Sequence, residues 1–223
     1  MKRTISIGLA LLFIFMFSGC RETAKQPATE KKKEAFDGVI VAVGDSLTAG
    51  LGVEEDDGYP AQLQKRLLEA GLQYRVINSG ISGETSSGTL SRLNWTLSLK
   101  PDIVILETGA NDGLRGVDPG LTRKNIEKIV AGLQERKIIT ILAGMQMTGN
   151  LGIGYTEPFR GLYQDVAKES GSIFMPFFLE GVATEPALNI SDGIHPNRQG
   201  YEIIVGNLFP YVVQAIELKK KER

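Results

Sequence analysis

The stretch Val39-Ile40-Val41-Ala42-Val43, followed directly by Gly44-Asp45-Ser46, decides the fold class of this 223-residue chain. Five consecutive apolar residues, four of them β-branched, predict a short strand that is buried on both faces. Gly44 ends the run, and the polar residues after it predict a turn at the carboxyl end of the strand. A strand with two buried faces needs helices on both sides, which favours a parallel sheet.

Further along the chain, apolar runs alternate with amphipathic helical patterns. The predicted strands after the first are 74–78, 103–106, 138–142 and 173–175, and the predicted helices are 59–70, 89–99, 121–135, 157–169 and 198–218. We expect the last helix to bend at Pro210. The alternation predicts an α/β fold, a three-layer α/β/α sandwich around a five-stranded parallel sheet, in one domain over residues 38–223.

The N-terminal residues have the pattern of a processing segment. Lys2 and Arg3 precede an apolar run from Ile5 to Phe17, which is shorter than the roughly 20 residues that span a bilayer. Residues 1–19 therefore predict a signal peptide, and Ser18-Gly19-Cys20 resembles a bacterial lipobox. We expect Cys20 to carry lipid, residues 20–37 to form a polar tether, and the exported protein to be anchored in the cell envelope, facing the periplasm or the exterior.

Composition narrows the possible chemistry. The formal net charge of −1 gives no strong field to attract nucleic acid, and we expect a monomer that acts on a small molecule. The chain has one histidine, His195, so any reaction that needs an imidazole depends on it. Nothing suggests a metal site, because there is no second histidine and Cys20 lies outside the domain.

Polar, glycine-rich segments follow strands one, two and three, and another precedes the last helix. Ser46 follows the first strand, and a serine hydroxyl becomes a nucleophile when a base takes its proton. His195 is the available base. Asp192, three residues earlier, can reach the histidine Nδ1 through a turn that Gly193 permits. We therefore predict Ser46, His195 and Asp192 as catalytic residues.

A tetrahedral intermediate also needs hydrogen-bond donors for its oxyanion. The candidates are the backbone N–H groups of Ser46 and Gly83 and the side-chain amide of Asn111, from three different strand ends. We expect Asp45, beside the serine, to support the turn rather than to act as an acid or base.

The four segments resemble the conserved blocks of the SGNH (GDSL) hydrolase family. Ser46 falls in the first block, Gly83 in the second, Asn111 in the third, and Asp192 with His195 in the last. The runs 81–85, 109–116 and 192–197 are most similar to the thioesterase I, lysophospholipase and arylesterase subgroup. The resemblance implies a flavodoxin-like fold and hydrolysis of ester or thioester bonds without metal or organic cofactor.

The segment after strand four predicts a mobile apolar wall beside the site, formed by Met145, Met147, Leu151, Ile153 and Tyr155; core packing is the alternative interpretation. Such a wall favours acyl or aryl esters. Two other functions remain open at this point: a carbohydrate deacetylase that uses the same residues, and a non-catalytic surface lipoprotein that binds lipid.

Overall fold

The computed structural model describes residues 36–147 and 151–222. The predictions for the signal peptide, for lipidated Cys20 and for most of the tether therefore lie outside the described residues. Within these two ranges, no helix has the length and apolar character that crossing a lipid bilayer requires.

Five strands alternate with eight α-helices in the described part of the chain. The strands are β1 (Gly38–Gly44), β2 (Tyr74–Gly80), β3 (Ile103–Glu107), β4 (Ile139–Ala143) and β5 (Ile173–Met175). The helices are α1 (Ser46–Ala49), α2 (Tyr59–Glu69), α3 (Ser86–Ser91), α4 (Leu93–Ser98), α5 (Ala110–Leu114), α6 (Pro119–Gln134), α7 (Ile153–Ser170) and α8 (Arg198–Lys221). Two 3-10 turns add Glu55–Asp57 and Pro186–Leu188.

The strands form one sheet in the order β2-β1-β3-β4-β5, and every neighbouring pair is parallel. This confirms the predicted five-stranded parallel sheet, and the order is that of flavodoxin-like folds. The winding direction reverses between β1 and β3. In such sheets, ligands bind in the crevice at the carboxyl ends of the strands beside this reversal.

Helices cover both faces of the sheet, which confirms the three-layer sandwich. Helices α2 and α8 pack against each other and the sheet, and α3, α4, α6 and α7 form a second group. The core lies between these layers: Val41 and Leu106 on the central strands and Phe159 on α7 are buried. The continuous apolar runs are explained by this double burial.

Three helix predictions differ from the structure. The predicted helix 89–99 is two helices, α3 and α4, separated at Arg92, whose side chain turns inward to bind Glu84 and Ser79. Helix α7 begins at Ile153 rather than Glu157 and continues through Pro158. Helix α8 runs through Pro210, as predicted, and ends at Lys221 rather than Leu218.

Candidate active site

Ser46 lies in the turn that joins β1 to α1. The Asp45 side chain caps this short helix by accepting a hydrogen bond from the Leu47 backbone N–H at 3.0 Å. Ser46 is the first helical residue, so its own N–H has no acceptor within the helix and remains available to a ligand.

His195 reaches Ser46 from the loop before α8. Its Nε2 lies 2.8 Å from Ser46 Oγ, and its Nδ1 lies 2.6 Å from Asp192 Oδ2. With the proton on Nδ1, the imidazole donates to Asp192 and accepts from the serine hydroxyl. The structure thus brings together Ser46, His195 and Asp192, the three residues that the sequence predicts as catalytic.

A tight turn fixes the Asp192 carboxylate under the imidazole. Its Oδ1 accepts the backbone N–H groups of Ile194 at 2.9 Å and His195 at 3.0 Å. Gly193 between them has a left-handed φ of +71°, which glycine adopts without steric cost. The hydrogen bond from the His195 N–H, then that from Ile194, then the imidazole lower the pKa of Asp192 to about 2. The carboxylate is therefore ionised at neutral pH.

Asn111 and Gly83 approach the serine turn from the two neighbouring strands. Asn111, on α5 after β3, donates from Nδ2 to Asp45 Oδ2 at 2.9 Å. The amide nitrogen has a second hydrogen that can reach a ligand. Gly83 follows β2 in a loop whose Ile81 N–H donates to the Gly44 carbonyl at 2.9 Å. Both candidate oxyanion residues are thus connected to the turn that holds Ser46.

Residues 42–203 match the model of the GDSL-like Lipase/Acylhydrolase family. The chain belongs to this family. It is 39% identical over 172 residues to esterase TesA of Pseudomonas aeruginosa, covering 77% of this chain and 86% of that protein. It is 34% identical over 166 residues to thioesterase 1/protease 1/lysophospholipase L1 of Escherichia coli K12, covering 74% and 78%.

A crystal structure of TesA has a TM-score of 0.77 with this chain at 38% sequence identity, covering 79% of this chain and 99% of that structure. The family, the relatives and the fold agree. The chain is an enzyme that hydrolyses ester or thioester bonds, and the resemblance seen in the four sequence blocks is confirmed.

The loop that carries Gly83 in this GDSL hydrolase is braced by a partly buried ion pair. Arg92 bonds Glu84 at 2.7 Å, and the two side chains are 12% and 7% exposed. Arg92 also donates to the Ser79 carbonyl at 2.9 Å and to the Gly44 carbonyl at 3.4 Å. On the other side, Arg115 donates to the Gly83 carbonyl at 2.8 Å. These contacts fix the direction of the Gly83 peptide.

Asp112, next to Asn111, has a structural role in the site. Its carboxylate accepts from the Ser86 backbone N–H at 2.7 Å, from the Ser86 hydroxyl at 2.5 Å and from the Thr122 hydroxyl at 3.2 Å. It therefore joins α5 to the start of α3 and to α6. The Asp45 contacts agree with the expectation that this residue supports the turn.

The predicted apolar wall is corrected in part. Met145 is 2% exposed and belongs to the apolar core, so it offers almost no surface to a substrate. Met147 is partly buried and lies against Gly113, where a Cβ atom would collide with it. The Tyr155 hydroxyl donates to the Val117 carbonyl at 2.7 Å. Leu151 and Ile153 are exposed.

Sequence reasoning missed Glu107, Thr48, Arg92, Glu84 and Arg115. Glu107 had a recognisable signal: it is an acidic residue that directly continues the apolar run Ile103–Leu106. In the structure it is the last residue of β3 and is fully buried. Arg92 and Glu84 gave no such signal, because their pairing depends on the break between α3 and α4.

Proposed function

We propose that this enzyme is a serine hydrolase in which Ser46 attacks the carbonyl carbon of an ester or thioester. The observation that carries the proposal is the continuous contact from Ser46 Oγ through His195 to Asp192, at 2.8 and 2.6 Å. His195 takes the serine proton as the acyl bond forms, and Asp192 stabilises the imidazolium that results.

The reaction then proceeds through two tetrahedral intermediates. The first collapses to an acyl-serine and expels the alcohol or thiol, which takes the proton from His195. Water then attacks the acyl carbon and gives a proton to His195. The second intermediate collapses, the bond to Ser46 Oγ breaks, the carboxylic acid leaves, and His195 returns the proton to Ser46 Oγ. The Ser46 and Gly83 N–H groups and the Asn111 amide would stabilise the oxyanion in both steps, and one such donor is typically worth about 100- to 1000-fold in rate.

The catalytic segments also carry exposed aliphatic side chains. Leu51, Ile81, Leu114 and Ile194 are each about half exposed, between 45% and 60%. Each follows a different strand end or lies next to His195, and we call these four residues the apolar rim. Exposed aliphatic groups grouped around a site are typical of binding surfaces for apolar ligands. The rim supports acyl or aryl substrates over carbohydrate esters.

The test is Ser46→Ala, assayed with p-nitrophenyl esters of several chain lengths and with a fluorophosphonate probe. We expect a fall in kcat of about 10⁴-fold or more and complete loss of labelling, because no other group replaces the nucleophile. Ser91→Ala, an exposed serine on α3, is the matched control and should label like the wild type. Turnover or labelling that survived Ser46→Ala would contradict the mechanism.

We also propose that the enzyme is an exported lipoprotein held by lipid on Cys20. The support is the sequence of residues 1–20, with its basic start, short apolar run and small residues before the cysteine. We expect cells that express the full chain to incorporate labelled fatty acid into it, and Cys20→Ser to abolish the label. Equal labelling of the two proteins would contradict the anchor, without bearing on the reaction.

A further inference from the structure

Glu107 lies directly beneath the turn that holds Ser46. Its Oε2 accepts hydrogen bonds from the Asp45 backbone N–H at 3.2 Å and from the Thr48 hydroxyl at 2.9 Å. The Thr48 hydroxyl is also 3.2 Å from the Tyr59 hydroxyl on α2. The side chain of Glu107 therefore fastens the end of β3 to both ends of the serine turn.

Gly44 makes room for this contact. A Cβ atom at Gly44 would collide with Glu107 Oε2 and with the Thr48 hydroxyl. The glycine of the Gly44-Asp45-Ser46 turn is thus required by the close approach of a carboxyl group. That approach identifies Glu107 as part of the turn's construction, even though the two segments are 62 residues apart.

The second oxygen of Glu107 is the unusual one. Its Oε1 is shielded from solvent and has no hydrogen-bond partner among the described residues. A charge on this carboxyl group would be buried with one oxygen unpaired, whereas the protonated acid is neutral and avoids that cost.

The surroundings of Glu107 also disfavour a second negative charge. The titratable groups that face it are Asp45 on the serine turn, Tyr59 on α2, Tyr163 on α7 and Tyr201 on α8. None of these four side chains is a cation. Burial, and then the charge of Asp45, raise the pKa of Glu107 well above its ordinary value. An unpaired buried carboxylate is costly, and taking up a proton removes that cost.

Asp45 is the member of the pair that can carry the charge. Its two oxygens accept from the Leu47 N–H and from the Asn111 amide, and hydrogen bonds to a carboxylate favour its ionised form. Asp45 therefore connects Glu107 to the two parts of the site that must be aligned, the Ser46 turn and the Asn111 donor.

We propose that Glu107 is a positioning residue that works as a neutral carboxylic acid and, through its contact with the Asp45 backbone, aligns Ser46 and Asn111. The inference rests on the proposed function, since it assigns Glu107 a role through those two residues. It predicts that a neutral group of the same shape can replace Glu107, whereas an apolar group cannot.

The first arm of the experiment measures kcat and KM of Glu107→Gln and Glu107→Met with p-nitrophenyl butyrate. The amide keeps one oxygen acceptor for Asp45 N–H and Thr48 and gains donors toward Asp45. We expect Glu107→Gln to keep kcat within about threefold of the wild type. Glu107→Met should lose at least tenfold in kcat with KM changed less than about twofold, because alignment and not substrate binding is lost.

The second arm measures urea unfolding of the wild type and Glu107→Gln between pH 5 and 8. In the unfolded chain Glu107 ionises above about pH 4.3. In the folded wild type it keeps its proton, so the folded state loses stability relative to Glu107→Gln as pH rises. The ratio of the two unfolding constants should grow with pH, by up to about tenfold per unit.

Glu84→Gln is the matched control for this arm. Glu84 is a largely buried carboxylate on the neighbouring loop, with its side chain 7% exposed, but it pairs with Arg92 at 2.7 Å. Removing its charge leaves Arg92 without its ionic partner, so this variant should unfold more readily than the wild type at pH 7 to 8. Relative to the wild type, Glu107→Gln should gain stability as pH rises, whereas Glu84→Gln should be less stable at pH 7 to 8. This difference distinguishes a neutral buried acid from a carboxylate held in an ion pair.

Two results would overturn the proposal: a ratio for Glu107→Gln that does not change with pH, or a Glu107→Gln enzyme as impaired as Glu107→Met. If Glu107→Met does not fold, the unfolding measurement on Glu107→Gln decides alone. Failure of the proposed function would show instead as activity that survives Ser46→Ala, which neither arm on Glu107 can produce.

Discussion

Ser46 lies between two sets of acidic groups that the protein treats in opposite ways. Asp192, on the outer side, is 38% exposed, accepts three hydrogen bonds and has a lowered pKa. Asp45 and Glu107, beneath the serine, are buried, and this burial raises the pKa of both carboxyl groups. One carboxylate must hold its charge beside an imidazole, and the pair must hold a turn in place. The same functional group serves both purposes because donors and burial set its charge.

The largest effect should come from neutralising the outer carboxylate. Asp192→Asn can still accept the two backbone N–H groups, but its NH2 would face Nδ1 and favour the wrong imidazole tautomer. We expect kcat to fall about 10⁴-fold, as in other serine hydrolases with this change. Steady-state kinetics with a soluble p-nitrophenyl ester measures it, and Asp56→Asn, an exposed acid on the first 3-10 turn, should leave kcat unchanged. A fall below tenfold would show that Asp192 does not set the tautomer.

A smaller effect should follow from changing the inner carboxylate. Asp45→Asn leaves one oxygen acceptor where the carboxylate offers two, so either the Leu47 N–H or the Asn111 amide loses its partner. We expect kcat to fall about 10- to 100-fold, less than the loss of an entire oxyanion donor.

A double-mutant cycle with Asn111→Ala sharpens that prediction. If Asp45 acts through Asn111, the two losses will be far from additive. Additive losses would mean that Asp45 and Asn111 act independently. They would contradict the inference that Asp45 positions the Asn111 amide.

The smallest effect concerns stability in acid. The pKa of Asp192 is about 2 in the folded protein and about 3.9 in an unfolded chain. Its stabilising contribution is therefore present above about pH 4 and is lost as pH falls to about 2. The free energies of unfolding of the wild type and Asp192→Asn should converge over this range in urea titrations. The difference will be small, because Asp192 is partly exposed; a gap that widened in acid would contradict the assigned environment.

The sheet and the three principal side chains could be predicted from the sequence because each has a local signal. The apolar run 39–43 needs two covered faces, and Asp192-Gly193-Ile194-His195 contains the acid, the turn glycine and the base within four residues. The joining of Ser46 to His195, 149 residues apart, followed from the rule that polar segments meet at one edge of a parallel sheet.

The supporting contacts could not be predicted in the same way. The position of Glu107 at the end of an apolar run gave a signal for burial, but its partners Thr48 and Asp45 come from the end of another strand and could not be read from that run. The break between α3 and α4 depends on Arg92 finding Glu84, which no helical periodicity encodes. A methionine is compatible with either a substrate-binding wall or a core, and only the three-dimensional packing shows that Met145 lies in the core.

The apolar rim has a consequence for how such enzymes diversify. Leu51, Ile81, Leu114 and Ile194 are largely solvent-exposed, so replacing them requires no repacking of the sandwich, while the acids and glycines under Ser46 tolerate little change. If the rim contacts the acyl group as proposed, substitutions at these four surface positions will change substrate preference without altering the catalytic residues. Directed-evolution libraries confined to these four positions, with Gly44, Asp45 and Glu107 held constant, would follow the same division.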